Sequence, residues 1–303
     1  RFNNHNPMKL IGIIICWLML VCFVKNTNAQ LPWFSNFNNN VIALNPAFTG
    51  NEYHLSVRGQ YKTMWTEIIN PPSTSLISAH APIGISNSSI GGIITHDNFG
   101  VISTNNLSIN YAYRFQTQIG RIAAGILLNV QDYREQLTAT HPTTPNDPAL
   151  ATDYSAMFFN GGLGIAWESE NGFLGIAVPA ILTPTRNETN DTIALTAPQL
   201  NLNGAYTFVL SPNWELTSSL YYGYINTLPS QMALMFDFTW KNNYAFLAGI
   251  RTNNAYTAGF TYTFLDNFKI GYTYDYFDNN LGAAAGGGHE LVIGFDLNKP
   301  EGE

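Results

Sequence analysis

Between residues 53 and 297 apolar and polar positions alternate with period two, segment after segment. Tyr53, Leu55, Val57, Gly59 and Tyr61 are interleaved with His54, Ser56, Arg58 and Gln60, and Leu107, Ile109, Tyr111, Tyr113 and Phe115 with Ser108, Asn110, Ala112 and Arg114. Successive side chains of a β-strand point to opposite faces, so each segment has one apolar and one polar face. The pattern returns in 214–224, 232–240, 256–264, 268–276 and 289–297, and the charges Arg58, Arg114, Glu215, Asp237, Lys269, Asp275, Glu290 and Asp296 all take the polar parity. Tyr, Phe, Trp, Leu and Ile on one face of a sheet and charges on the other suit lipid outside and water or ion pairs inside. The expectation is an all-β, transmembrane outer-membrane β-barrel of about 14 antiparallel strands. They fall at 53–61, 74–81, 89–95, 105–115, 121–130, 157–167, 172–182, 199–209, 213–224, 231–241, 244–251, 256–265, 268–277 and 289–297.

The connections alternate in length. Tight turns are expected at 117–118, 170–172, 211–213, 242–243 and 266–267, where Asn, Gly, Pro and Asp favour hairpins. Longer loops are expected at 62–73, 96–104, 131–156, 183–198 and 278–288. Short turns on the periplasmic rim and long loops outside are the usual layout. It puts both chain ends at the periplasmic face: residues 30–52 as a periplasmic N-terminal segment and 53–303 as the barrel, with no separate plug. A small inserted position for 30–50 stays open.

Composition sharpens this picture. Of 303 residues only 11% are charged and 14% are aromatic, with a net charge of −7. Soluble domains carry about a quarter charged residues, and after Val24 no run of about twenty apolar residues could form a spanning helix. A closed barrel then satisfies the backbone in lipid. The acidic balance excludes a nucleic-acid partner. Met8-Lys9, the apolar run 10–24 and Thr27-Asn28-Ala29 before Gln30 read as a signal peptide, so 1–29 is an upstream extension plus leader, and both cysteines, Cys16 and Cys22, leave with it.

No catalytic, cofactor-binding or metal-binding residues are expected. Nucleotide loops, zinc spacings and nucleophile elbows are missing, and His289 and Glu290, adjacent on a strand, face opposite sides. An enzyme is therefore not predicted. Asp275 and Glu290, inward on the last two strands, are placed to meet Arg58 of the first strand across the barrel seam as a structural ion-pair cluster. The inward Gly271 and Gly294 leave room for a neighbour.

Three stretches carry a resemblance: Asn45-Pro46-Ala47-Phe48-Thr49-Gly50 followed by Arg58-Gly59-Gln60-Tyr61; Tyr111-Ala112-Tyr113 with Gly161-Gly162-Leu163-Gly164; and Gly271-Tyr272-Thr273-Tyr274-Asp275 with Gly288-His289-Glu290-Leu291 and Gly294-Phe295. Spread in order over the chain, they resemble the PorP/SprF family of Bacteroidetes outer-membrane proteins of the type IX secretion and gliding machinery. Tyr61 departs from that family's usual tryptophan. The resemblance implies a fourteen-stranded barrel in the cell outer membrane that supports export or surface anchoring of large adhesin-type proteins with a C-terminal sorting domain. Its partners would be outer-membrane lipid, such an adhesin and periplasmic components of the machinery. It carries no catalytic residues over. The alternative is a passive transporter for small or hydrophobic solutes; the lumen discriminates between them, since such transporters use an extended N-terminal plug and an apolar path.

Overall fold

The structure is a computed structural model that describes residues 34–52, 54–84, 87–140, 152–187, 192–226, 228–252 and 254–297. The expected leader, 1–29, lies outside the described residues, as do Tyr53 and most of the Pro-rich stretch 140–148.

Fourteen antiparallel strands close into one barrel. In chain order they are β1 (Leu55–Met64), β2 (Ser73–Pro82), β3 (Ser88–Phe99), β4 (Ile102–Thr117), β5 (Gly120–Glu135), β6 (Tyr154–Ser169), β7 (Gly172–Val178), β10 (Gln199–Ser211), β11 (Trp214–Ile225), β12 (Leu228–Trp240), β13 (Tyr244–Arg251), β14 (Ala255–Phe264), β15 (Phe268–Phe277) and β16 (Gly288–Leu297). A two-stranded hairpin, β8 (Thr185–Asn187) with β9 (Thr192–Ala194), stands apart in the β7–β10 connection. The seam joins β1 to β16 from Leu55↔Leu297 to Met64↔Gly288. Full closure removes the sheet edge, which lipid could not hydrogen-bond.

The faces follow the alternation. Ile109, Phe115, Phe260, Ile270 and Ile293 are at least 40% exposed on the outer wall, whereas Arg58, Asn110, Arg114, Thr261, Asp275 and Glu290 are buried inside. Outward aromatics gather at one rim, in a run of neighbouring rings through Trp214, Trp240, Tyr244, Tyr262, Phe264, Phe268 and Phe295. This is the girdle expected where a barrel meets the membrane interface. The same rim holds the short turns after β4, β6, β10, β12 and β14, which makes it periplasmic; the strands β1, β5, β7 and β15 end at the opposite rim, where the longer connections start, the last with the short helix α1 (Asn280–Ala285).

One expected loop is not a loop. Residues 96–104 continue β3 and β4 up to a tight turn at Gly100–Val101, pairing from Thr95↔Asn106 to Phe99↔Ile102. β5 and β6 rise beside them from Glu135↔Tyr154. On these extensions the outward residues are polar: His96, Asn98, Asn105, Asp132 and Arg134, linked by hydrogen bonds and an ion pair. Above the bilayer both faces meet water, so the ladder persists while the apolar alternation stops.

The largest departure concerns the segment before β1. Residues 34–50 lie inside the lumen as a plug of two short 3-10 turns, Phe37–Ala43 and Pro46–Phe48. They touch strands all round the wall: Asn38 bonds Ser219 and Asp237, Asn40 meets Ser78, Asn45 meets β6 and β7, Ala47 meets Arg114, and Ser35 meets Asp275 and Glu290. A segment can reach opposite walls of a closed barrel only from its axis. The periplasmic placement and the plug-free lumen are therefore replaced by a short plug.

Candidate functional site

The plug is held by three kinds of contact. Its apolar side chains make the barrel's core: Ile42, Leu44, Ala47 and Phe48 are at most 1% exposed, and Phe48 packs edge-on against Phe173 with ring centroids 4.8 Å apart. Its backbone and amides are paired to the wall. Asn45 caps the second 3-10 turn by accepting from the Ala47 N–H at 2.9 Å, while its amide donates to the carbonyls of Ile165 and Ile176. Asn201 donates to the Leu44 carbonyl, Arg114 to that of Ala47, and the Gly50 N–H donates to His80 Nδ1. Glycines provide the clearance: a Cβ on Gly125 would sit 2.3 Å from the Ala47 nitrogen, and one on Gly164 2.0 Å from Asn45 Oδ1. The Asn45-Pro46 turn is thus real, but it docks inside the barrel.

Charge completes the anchoring near the outer ends of β15, β16 and β1. Lys62 Nζ lies 2.8 Å from Asp275 and 4.0 Å from Glu290, and Arg251 is 2.8 Å from Asp275. Ser35 joins this group: its hydroxyl donates to Asp275 and accepts from Lys62, and its N–H and that of Asn36 donate to Glu290. Asp275 and Glu290 therefore do share a seam cluster, with Lys62 rather than Arg58 as the cation. Register decides this, since Lys62 lies opposite Glu290 whereas Arg58 lies opposite Gly294. Lys62 is one residue past the expected end of the first strand, on the same inward parity; extending the alternation by one position would have found it. Gly294 makes the predicted room, for Arg58: a Cβ there would be 3.1 Å from Arg58 Cδ.

Arg58 forms a second cluster at the periplasmic end, 2.6 Å from Asp296 and 3.1 Å from Glu52, with His54 3.4 Å from Asp296 and 3.5 Å from Glu52. Its partner Glu52 ties the plug's exit to the seam. Contact with Glu52 raises the His54 imidazole above its ordinary value against an opposing effect of burial. A third cluster joins Arg114 and Arg121 to Glu168. Among the remaining motif residues Gly271 faces the lumen beside Thr261 and Val292, while Tyr272 and His289 face outward, paired through the hydroxyl and Nδ1 at 2.6 Å. His289 and Glu290 point apart, as adjacent strand residues must.

Outward of the plug the lumen opens into a cup. Two adjoining depressions of about 290 and 480 Å³ share Thr74, Asp97, Asn106, Gln131 and Gln199 as lining. Phe34 and Ala43 of the plug help line the deeper one; Met64, Phe99 and Ile102 line the mouth.

The fold and this interior define a class, an outer-membrane β-barrel closed by a short N-terminal plug. The model of the type IX secretion system membrane protein PorP/SprF matches residues 26–295, and the chain belongs to that family. No curated protein matches it. Among solved structures, the P. putida toluene transporter TodX is similar with 12% identity and a TM-score of 0.51, over 83% of this chain and 92% of that one. The Ralstonia pickettii toluene transporter TbuX gives 11% identity and 0.51, over 84% and 92%. The Acinetobacter baumannii outer membrane protein Omp33 gives 9% identity and 0.49, over 81% and 98%. At these identities the likeness is one of barrel fold.

Proposed function

We propose that this protein is a non-enzymatic outer-membrane component of the type IX secretion machinery that supports export or surface anchoring of large adhesin-type proteins. The single observation that carries the reading is a family match spanning almost the whole barrel and its plug, residues 26–295. The lumen supports it. Ion pairs cross-link its wall and hydrogen bonds join the wall to the plug, which suits a rigid platform better than an apolar conduit. The presence of a plug no longer separates this role from solute transport; the polar, ion-paired interior does.

The partner would approach the outer rim, where the long connections lie, and periplasmic components of the machinery the short turns. Deleting the gene is expected to abolish surface display of one or a few adhesin-type proteins, measured by labelling of intact cells, while small-solute uptake is unchanged. Trimming 140–148 should weaken display and leave heat-modifiable gel migration intact. Porin-like conductance in planar bilayers together with normal display in the deletion strain would refute the proposal and favour the solute transporter.

A further inference from the structure

The acids that face the lumen are mostly matched to cations. Asp275 and Glu290 share Lys62, with Arg251 on Asp275; Asp296 and Glu52 share Arg58; Glu168 has Arg114 and Arg121; and Glu135, above the cup, has Arg186 at 2.7 Å. Asp97 is different. It is half-buried on the inward parity of β3 and lines both depressions of the cup, yet among the described residues no Lys or Arg nitrogen lies within 4.0 Å of it. Among the described residues its carboxylate accepts a side-chain bond from one hydroxyl, Thr74 Oγ1 donating to Oδ1 at 2.7 Å. A carboxylate withdrawn from water without a cation is costly, and a cation arriving from outside recovers that cost.

The surroundings select the kind of cation. The groups lining the cup near Asp97 are neutral amides and hydroxyls, Asn106, Gln131, Gln199 and Thr95, spread round a space of several hundred Å³; Lys62 also lines the outer depression, but its ammonium is held by Asp275 and Glu290. A metal ion needs six or so oxygens at about 2.0 to 2.6 Å, and a single carboxylate in so wide a space does not provide them. Amides spaced across a cleft suit a polypeptide backbone, and the apolar mouth residues Met64, Phe99 and Ile102 suit the methylene stem of a long basic side chain. The plug beneath gives the cup a floor, which favours a bound segment over a solute in transit.

We propose that the outward cup is a docking site for an extended segment of the exported partner, which places a Lys or Arg side chain against Asp97. The identity of the partner rests on the secretion reading above; the chemistry of the cup does not.

The test uses the full-length barrel, purified and folded in detergent, and three blocked pentapeptides, Gly-Ser-X-Ser-Gly with X as Lys, Gln or Glu, titrated by calorimetry at low and high salt. The Lys peptide should bind at least tenfold more tightly than the Gln and Glu peptides. Asp97→Asn should lose at least tenfold for the Lys peptide alone, and Asp97→Glu should recover most of it. Unchanged heat-modifiable migration certifies that each variant is folded. In cells, Asp97→Asn should lower adhesin display at normal barrel abundance. Equal binding of the three peptides, or equal binding by wild type and Asp97→Asn, overturns the cup assignment while leaving the secretion reading intact. Normal display in the deletion strain with Asp97-dependent peptide binding does the reverse. Free lysine binding as well as the peptide and crossing planar bilayers would make the cup a solute site and overturn the docking proposal.

Discussion

Phe48 offers the sharpest test of the plug. Its ring is wholly buried, stacks edge-on with Phe173, and lies so near the wall that a Cβ on Gly175 would be 2.8 Å from Phe48 Cε2. An aromatic ring buries about 150 to 250 Å², which at about 25 cal/mol per Å² is roughly 4 to 6 kcal/mol. Part of that belongs to backbone and Cβ, and measured Phe→Ala costs of about 3 to 5 kcal/mol are the better guide. The wall around Phe48 is a hydrogen-bonded barrel that cannot collapse inward, so Phe48→Ala should fall in the upper half of that range. The loss acts on docking of the plug, because β1 to β16 keep every ladder bond. Since about 1.4 kcal/mol is a factor of ten, the undocked population should rise by roughly three to three and a half orders of magnitude. Hydrogen–deuterium exchange read by mass spectrometry reports it directly: amides of 35–49 should lose protection while those of the strands do not. Phe159→Ala, on a ring 71% exposed on the outer wall, is the control. Unchanged exchange of the plug in Phe48→Ala would refute the claim that apolar packing holds it.

Other outcomes follow from the same geometry. Ile109→Arg, on the lipid-facing parity, should cost about 2 to 4 kcal/mol in bilayer unfolding experiments, whereas Ser108→Arg, which opens on the lumen cavity, should cost far less; equal costs would show the faces to be wrongly assigned. Lys62→Met leaves Glu290 without a cation and Asp275 with Arg251 alone, and should destabilise by about 3 to 5 kcal/mol, with Glu290→Gln added to it restoring part of the loss; strict additivity in urea titrations would argue against the cluster. His54 has a folded-state value raised above the unfolded one, so its contribution is complete below the unfolded value and disappears as pH rises through the folded one. Stability should fall across that window in the wild type and not in His54→Gln, as thermal melts at stepped pH can show.

The strands and their faces were legible without coordinates because side-chain parity is a local property: a one-residue slip would turn Ile109, Tyr111 and Tyr113 into the lumen and Asn110 and Arg114 into lipid. The signal ended where its cause ended, above the bilayer, where His96, Asn98 and Asn105 face water and the extended ladder reads as a loop. Which acid meets which cation was beyond it, since Lys62 and Arg58 share a parity and only the register of β1 against β16 separates them. The plug was hidden more deeply. Asn36 to Asn40 and the short apolar run 41–44 have no strand or helix period, and as an isolated segment they look like a polar leader to the barrel. Closure creates the lumen, with Gly125, Gly164 and Gly175 at its wall, and only in that enclosed space do Asn45 and Phe48 find the partners that hold them there.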